Sequence, residues 1–130
     1  MAVTYLDSSA IVKLAIEEPD SAALRRHLRR RRPLVSSALA RTEVARALLF
    51  EGDAGIARGR SVLSRLDLIR VNDRVLNAAG TLLPPDLRSL DAIHLTTAQQ
   101  LGAELSQMVT YDERMIDAAR DLGIRTASPS

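Results

Sequence analysis

The 130-residue chain contains no cysteine, which excludes disulfide bonds, thiolate metal ligands and cysteine nucleophiles. It has no tryptophan, one phenylalanine and two tyrosines, so aromatic residues make up only 2% of the sequence. This scarcity argues against recognition of nucleic acid by stacking bases on rows of aromatic rings. Other contacts with nucleic acid stay open, and the core must be built from leucine, valine, isoleucine and alanine.

Long apolar runs are also missing. The first 20 residues show no basic region followed by a hydrophobic run, and no segment approaches the roughly 20 apolar residues that cross a bilayer. We therefore expect a cytoplasmic protein that makes no membrane contact. The length and the hydrophobic fraction of 46% predict a single domain over residues 1–130.

Lysine is nearly absent, because Lys13 is the only one and arginine supplies the rest of the positive charge. The net charge of +2 is a weak argument for binding to polyanions. The most basic run, RRHLRRRR, covers residues 25–32. If this run is helical, Leu24 and Leu28 face inward and most of the arginines form a solvated face.

Short apolar, β-branched segments alternate with helical segments along the chain. The pattern predicts strands at 3–6, 33–37, 68–71 and 107–110, with an edge strand near 124–126. It predicts helices at 8–18, 21–32, 38–52, 53–66 and 89–101, with two more after Asn72 and Asp112. This alternation indicates an α/β fold with a short, mostly parallel sheet of four or five strands. In such sheets, functional groups collect where strands end and helices begin.

An acidic residue shares an apolar stripe in the segment ARTEVARALLF. Because a helix advances about 100° per residue, Leu39, Ala47 and Phe50 point in nearly the same direction as Glu43. Asp91 lies in line with apolar residues of its own predicted helix in the same way. Both acids are therefore expected to point toward the interior.

Two further acids follow predicted strands. Asp7 comes after the first strand and Asp112 after the fourth, so both lie at the same edge of a parallel sheet. Each acid also has a simpler explanation: Asp7 and Asp112 suit helix N-caps, Asp91 suits the positive end of a helix dipole, and Glu43 could pair with Arg46.

The four acids are harder to explain if they converge. Two like charges about 5 Å apart cost roughly 3 kcal/mol at an effective dielectric constant near 20, and several such pairs would rival the stability of a small domain. Bound protons would relieve this repulsion, and so would a divalent cation. Oxygen ligands without cysteine favour Mg²⁺ or Mn²⁺, and such a site suits phosphoryl chemistry.

Four segments, each of which contains one of the four acids, follow one another along the chain: TYLDSSAIVKL, RTEVARALL, LRSLDAIHLTTA and VTYDERMIDAARDLGI. Together they resemble the PIN-domain family, and closely resemble its VapC branch, the toxins of bacterial type II toxin–antitoxin pairs. The resemblance covers essentially the whole chain. It implies a three-layer α/β/α PIN-like domain and a Mg²⁺- or Mn²⁺-dependent endoribonuclease, in which a metal-activated water cleaves an RNA phosphodiester bond.

The resemblance also assigns residues. The acidic quartet of the family, catalytic and metal-binding, maps onto Asp7, Glu43, Asp91 and Asp112. Asp7 and Asp91 would be the firmest ligands. Ser8 and Thr110, which lie beside two of the acids, fit the hydrogen-bonding groups that orient such ligands. His94 is expected to be a buried, hydrogen-bonded support for this pocket, with a ligand or proton-shuttle role as the alternative.

The family implies partners as well: a transfer or ribosomal RNA substrate, a VapB-like antitoxin that inhibits the toxin, a homodimer, and a heterotetramer or larger assembly with the antitoxin. Arg25, Arg29 and Arg88 are candidates for contact with RNA or antitoxin. Arg88 could instead neutralise a nearby acid. Asp117 is expected at the surface.

Other functions fit parts of the same sequence pattern. A PIN-type nuclease that acts on DNA or structured nucleic acid is the nearest alternative. A receiver domain needs a lysine late in the chain, and none follows Lys13; a haloacid-dehalogenase phosphatase needs Asp-x-Asp, whereas Ser8 and Ser9 follow Asp7. A non-catalytic binding module with an acidic pocket also stays open, although the presence of all four acids argues against a degenerate site.

Overall fold

A five-stranded parallel sheet forms the centre of the computed structural model, which describes residues 2–130. Its strands are β1 (Val3–Leu6), β2 (Leu34–Ser37), β3 (Asp67–Ile69), β4 (Leu105–Val109) and β5 (Thr126–Ala127). They lie in the order β3-β2-β1-β4-β5, and all four neighbouring pairs are parallel. The prediction of an α/β fold with a short, largely parallel sheet is therefore confirmed.

Seven α-helices cover the two faces of this sheet and complete the predicted three layers. They are α1 (Ser8–Ala15), α2 (Ser21–Leu28), α3 (Ala40–Ala47), α4 (Gly52–Leu63), α5 (Asp73–Gly80), α6 (Ser89–Gln99) and α7 (Glu113–Asp121). Two 3₁₀ turns connect elements: Leu49–Glu51 lies between α3 and α4, and Gly102–Glu104 lies between α6 and β4. Within residues 2–130, no helix is both long and apolar enough to cross a membrane.

The two faces of the sheet support separate hydrophobic clusters, as the alternation of side chains along a strand requires. Leu6 of β1 packs with residues of α1 to α4 on one face. Its neighbour Tyr5 packs with residues of α6 and α7 on the other. Full burial of one leucine side chain contributes about 1.5–3 kcal/mol. The core consists mainly of leucine, valine, isoleucine and alanine, as the composition predicts, but it also contains Tyr5, Met108 and Met115.

Several helices end earlier than predicted. The helix expected over 21–32 ends at Leu28. Pro33 accounts only for the exclusion of Arg32 from it, because proline disfavours a helical conformation for the residue before it. Half of the arginine run therefore lies outside the helix. The helix expected over 38–52 is interrupted at Leu48, where the backbone leaves the helical region before a 3₁₀ turn. The first helix stops at Ala15 because Ile16 is extended.

Close packing of α4 against α3 depends on Gly59. A Cβ at this position would lie 2.6 Å from Leu48 Cδ1 and 3.1 Å from Val44 Cγ1. We expect Gly59→Ala to lower the free energy of unfolding by about 1–3 kcal/mol, since overpacking outweighs the helix propensity of alanine. Gly80→Ala is the matched control: apart from its chain neighbours and the backbone of its own helix, no atom of residues 2–130 lies within 4 Å of the added Cβ. Urea unfolding of both variants tests this, and equal stabilities would contradict it.

The direction of the chain reverses between β1 and β4. The chain moves outward from β1 to β2 and β3, then crosses back to β4 and moves outward to β5. In open α/β sheets, ligands bind at such a reversal, beyond the carboxyl ends of the strands. Asp7 and Asp112 both lie at this place.

Candidate active site

Asp7 is the most deeply placed of the four acids. It follows β1 directly, and only 3% of its surface is exposed. Its Oδ1 accepts hydrogen bonds from the Ala10 amide at 3.1 Å and the Ser9 hydroxyl at 2.6 Å, and its Oδ2 accepts one from the Thr110 hydroxyl at 2.5 Å. Burial raises the pKa of Asp7 above its usual range, and these hydrogen bonds offset part of that rise.

Thr110 connects Asp7 with Asp112. The Thr110 hydroxyl donates to Asp7 and accepts a hydrogen bond from the Asp112 amide at 3.1 Å. Asp112 in turn begins α7, because its Oδ1 accepts from the Arg114 amide at 2.9 Å and the Met115 amide at 3.4 Å. The predicted role of Thr110 as an orienting group thus has a geometric basis, and its hydroxyl contacts one acid and the backbone of another.

Arg88 lies between Asp91 and Asp112. Its Nε is 3.3 Å from Asp91 Oδ2, and its Nη2 is 3.5 Å from Asp112 Oδ2. Burial raises the pKa of Asp91, Arg88 lowers it, and the nearby Asp112 charge raises it again. The structure therefore favours the second of the two sequence-based interpretations of Arg88, in which it neutralises nearby acids.

Glu43 is held by two donors from other elements. Its Oε1 accepts from the Ser8 hydroxyl at 2.6 Å and lies 2.6 Å from His94 Nε2. Although burial raises the pKa of Glu43, the hydrogen bonds from His94 and Ser8 outweigh it, so the pKa lies below its usual range. Ser8, which is next to Asp7 in sequence, thus orients Glu43 instead.

His94 connects Glu43 to the core. The ring is 1% exposed, and its Nδ1 lies 2.7 Å from the Tyr5 hydroxyl. A neutral ring that carries its proton on Nε2 satisfies both neighbours: it donates to Glu43 and accepts from Tyr5. Burial raises the pKa of Tyr5 far above its usual range, which keeps this hydroxyl protonated. The expectation of a buried, hydrogen-bonded histidine agrees with this geometry.

Three of the four acids are linked through shared partners, and Glu43 lies apart from this series. Asp7 reaches Asp112 through Thr110, and Asp112 reaches Asp91 through Arg88. Asp91 lies in the first turn of α6, one turn before the histidine that binds Glu43. Among residues 2–130, however, no three His, Asp or Glu side chains are grouped closely enough to hold a metal ion as they stand.

The prediction that Leu39, Ala47 and Phe50 form one apolar stripe with Glu43 is wrong in part. Phe50 lies beyond α3 and is fully exposed, and Ala47 is exposed as well. The 3₁₀ turn rotates Phe50 away from the direction that a continuous helix would give it. The proposed pair with Arg46 is replaced by the bonds to Ser8 and His94, so Glu43 points inward for a different reason from the one its stripe suggested.

The other arginine candidates lie elsewhere. Arg25 pairs with Glu17 at 3.2 Å, and Arg25 and Arg29 line a cleft of about 220 Å³ with Leu34 and Leu66. Leu34 begins β2, so this cleft lies at the amino ends of the strands, opposite the acids. Contact with RNA or antitoxin at Arg25 and Arg29 stays a prediction.

Asp117 lies on the outer part of the same side of the molecule as the acids. Asp117 lines a groove of about 460 Å³ together with Asp91, Arg88 and Arg114. One wall of the groove is α7 and the other is the loop that precedes α6. Asp117 is exposed, and its Oδ1 is 3.7 Å from Arg120 Nη1. Its predicted surface position is confirmed, and it serves below as a control.

Sequence reasoning missed two supporting residues. Ser9 donates to Asp7 and accepts from the Tyr111 amide at 3.0 Å, which ties the start of α1 to the end of β4. The sequence signal for Ser9 was its place as the second of two serines that follow Asp7. Tyr5 gave no signal, because nothing local distinguishes a tyrosine that packs in a strand from one that binds His94.

Known sequences match the chain over its full length. A family model described as the PIN domain matches residues 4–121. The chain is 62% identical over 130 residues to Ribonuclease VapC46 of Mycobacterium tuberculosis, with 100% of each chain covered. It is 40% identical to Ribonuclease VapC47 of Mycobacterium tuberculosis, with 96% of each covered.

Solved structures share the fold. A toxin–antitoxin complex from Klebsiella pneumoniae has a TM-score of 0.74 at 19% identity, with 98% of each chain covered. Mycobacterium tuberculosis VapC20, described as a sarcin–ricin loop cleaving toxin, has a TM-score of 0.73 at 16% identity, with 88% of this chain and 94% of that one covered. These identities support the fold alone, whereas the family model and the closer relatives decide the family: the chain belongs to the PIN domains and, within them, to the VapC ribonuclease toxins.

Proposed function

We propose that the chain is a Mg²⁺- or Mn²⁺-dependent endoribonuclease, with Asp7, Glu43, Asp91 and Asp112 as its metal-binding and catalytic residues. The observation that carries this proposal is that Thr110 and Arg88 link Asp7, Asp112 and Asp91 beyond the carboxyl ends of β1 and β4. Glu43 binds Ser8 and His94, which lie on the helices that follow Asp7 and carry Asp91. Structural N-caps alone explain Asp7 and Asp112. They do not explain why Glu43 and Asp91 point toward the same region.

The donor set suits a hard divalent cation. Carboxylate oxygens dominate it, no thiolate competes, and the single histidine is engaged on both ring nitrogens. Glu43 Oε2 and Asp91 Oδ1 accept no hydrogen bond from residues 2–130, which leaves them available as ligands. Asp91 and Asp112 already share one positive charge, that of Arg88, which indicates that this pair requires a cation.

A divalent cation bound here would supply Lewis-acid chemistry, which lowers the pKa of water and neutralises charge on a phosphate. The residues of this chain orient the ligands. Thr110 and Ser9 fix the Asp7 carboxylate, while His94 and Ser8 fix that of Glu43. Partners of this kind, which hold metal-binding carboxylates in one rotamer, typically change metal affinity or activity 10–100-fold when removed.

The partners proposed for this chain follow from its family. We infer a transfer or ribosomal RNA substrate, inhibition by a VapB-like antitoxin, a homodimer, and a heterotetramer or larger complex with the antitoxin. VapC20 is described as a sarcin–ricin loop cleaving toxin, and the Klebsiella pneumoniae structure is a toxin–antitoxin complex. Both descriptions support this inference. We also propose a cytoplasmic location, where the chain would meet RNA and antitoxin.

Substitution of Asp91 tests the proposal. We expect Asp91→Asn to lower the rate of RNA cleavage at least about 100-fold, the scale of removing one electrostatic group from an active site, while circular dichroism stays unchanged. Asp117→Asn is the matched control, since Asp117 lines the same groove but pairs only with Arg120. It should retain cleavage within about twofold, as exposed pairs contribute little.

The assay uses purified protein with labelled RNA, in Mg²⁺, in Mn²⁺ and in excess EDTA, beside DNA of the same sequence. Cleavage of RNA that requires the cation supports the proposal. Preferential cleavage of DNA would support the alternative nuclease, and binding of RNA without cleavage by the wild type would support a non-catalytic module. Loss of the fold in Asp91→Asn would assign this acid a structural role.

A further inference from the structure

Arg88 occupies an unusual place for an exposed arginine. Its guanidinium contacts two of the four acids at once, Asp91 at 3.3 Å and Asp112 at 3.5 Å. In residues 2–130, no other arginine or lysine lies within 4.0 Å of either carboxylate. The residue precedes α6 in an extended conformation and its side chain does not cap the helix, so capping does not explain its position.

We propose that Arg88 is a built-in counter-ion, which neutralises Asp91 and Asp112 when no metal is bound and competes with the divalent cation for them. This inference rests on the proposed function, because it assumes that the acids bind such a cation. It goes beyond that function because it gives a residue outside the acidic quartet control over metal affinity.

The competition follows from size. Mg²⁺ requires its oxygen ligands at about 2.0–2.1 Å, so two carboxylates that share one ion draw close together. Here the guanidinium lies between the two carboxylates, with nitrogen-to-oxygen distances of 3.3 and 3.5 Å. A planar guanidinium and a metal ion cannot both lie between the same two carboxylates.

Arg88 is able to leave. Its side chain is 60% exposed, and it makes one long contact to each carboxylate instead of the bidentate pair that strengthens arginine–carboxylate binding. Exposed ion pairs of this kind are each worth up to about a fivefold change in an equilibrium constant. Arg88 therefore tunes metal affinity and does not block it.

A purely supporting role for Arg88 predicts the opposite sign. If the guanidinium only held Asp91 and Asp112 in position for a metal ion, its removal would let the carboxylates separate and would weaken metal binding. If Arg88 served only to contact phosphate, its removal would leave metal binding unchanged. The direction of the change in affinity therefore decides between these roles.

The test is a titration of the purified wild type and of Arg88→Ala with Mn²⁺ alone, in the absence of RNA, followed by calorimetry and by the electron paramagnetic resonance signal of free Mn²⁺. We expect Arg88→Ala to bind Mn²⁺ about three- to twentyfold more tightly, from the loss of two exposed pairs. Arg114→Ala is the matched control for general electrostatics. Arg114 lines the same groove but contacts Asp112 only through its backbone amide, so its variant should change affinity less than twofold.

Thermal unfolding gives a second readout. In EDTA, Arg88→Ala should have a lower Tm than the wild type, because the repulsion between Asp91 and Asp112 is no longer compensated. In saturating Mn²⁺ this deficit should disappear. A deficit that persists in Mn²⁺ would indicate a structural role and would overturn the proposal.

The outcomes separate the two levels of inference. If the wild type binds no Mn²⁺ at millimolar concentrations, the proposed function fails, and this inference with it. If the wild type binds Mn²⁺ and Arg88→Ala binds it equally or more weakly, only the role of Arg88 fails. A tightening in Arg114→Ala as large as that in Arg88→Ala would also overturn it, since any loss of positive charge would then suffice.

Discussion

Asp7→Asn is expected to abolish RNA cleavage and at the same time to stabilise the metal-free protein. Asparagine caps a helix about as well as aspartate, so α1 should begin as before. The variant loses the negative charge that would bind the cation, and we expect cleavage to fall on the order of 1000-fold, the upper end for removal of one electrostatic group. Because Asp7 is only 3% exposed, its negative charge is poorly solvated and destabilises the metal-free folded state.

The sign of the stability change follows from the pKa of Asp7. Burial raises this pKa in the folded state. At a pH between the unfolded pKa and the folded pKa, the folded protein therefore binds more protons than the unfolded chain. The stability that protonation of Asp7 contributes is then fully present below the unfolded pKa of about 4. It is lost as the pH rises through the folded pKa. Above the folded pKa of Asp7 the wild type without metal bears the whole penalty, and the asparagine variant does not.

Thermal unfolding in EDTA across pH 3–8 measures this effect. At pH 7.5 we expect a Tm higher by about 2–6 °C for Asp7→Asn, equivalent to about 1 kcal/mol, and the difference should shrink as the pH falls toward 4. Mn²⁺ should raise the Tm of the wild type but not that of the variant. Asp117→Asn, which removes an exposed charge, should change neither property. A variant that is less stable in EDTA, or that still cleaves RNA, would contradict this prediction.

The positions of Asp7 and Asp112 could be predicted from sequence because strand order decides them. Each acid follows a strand that is readable from its apolar pattern, and a parallel sheet brings the ends of its strands to one edge. The simpler interpretation is confirmed, since both acids cap helices. The same geometry is compatible with the proposed metal-binding role, so the sequence could not separate the two interpretations.

Glu43 shows a different limit. The stripe that singled it out assumes one continuous helix, and the break at Leu48 removes Phe50 from that stripe. The inward orientation is set by Ser8 and His94, which are 35 and 51 residues away in sequence. Periodicity reports contacts between neighbouring turns, whereas these bonds depend on how α1, α3 and α6 pack together.

Arg88 shows the same limit in its clearest form. Its spacing of three residues from Asp91 permits an ion pair on a helix, but the contact with Asp112 depends on the packing of α6 against α7. Sequence reasoning could therefore name Arg88 as a candidate and could not choose between phosphate contact and neutralisation of acids. The choice became possible once both distances were known.

His94→Ala is expected to produce the largest loss of stability of any substitution in the site. The ring is 1% exposed and binds the Tyr5 hydroxyl on one side and Glu43 on the other. Its removal leaves a cavity and takes the His94 partner from the buried Tyr5 hydroxyl, and we expect the free energy of unfolding to fall by about 2–4 kcal/mol. RNA cleavage should fall as well, because Glu43 loses its stronger donor.

His94→Gln distinguishes support from chemistry. Glutamine offers one donor and one acceptor, as the neutral ring does, so it should recover part of the stability and of the cleavage activity that alanine loses. A histidine that bound the metal or carried a proton would not be replaced by glutamine. Activity as low in His94→Gln as in His94→Ala, at higher stability, would therefore assign His94 a direct part in the reaction.

A double-mutant cycle with Tyr5→Phe tests the cause of the loss. In the wild type, Tyr5→Phe should lower the free energy of unfolding by about 1 kcal/mol, because His94 Nδ1 loses its partner. In the His94→Ala background the same substitution should cost less, since the bond between the Tyr5 hydroxyl and His94 is already lost. Urea unfolding of the four proteins gives the coupling energy, which for residues in direct contact is on the order of 0.5–3 kcal/mol. Additive losses would show that the cavity, and not the Tyr5–His94 hydrogen bond, determines the effect.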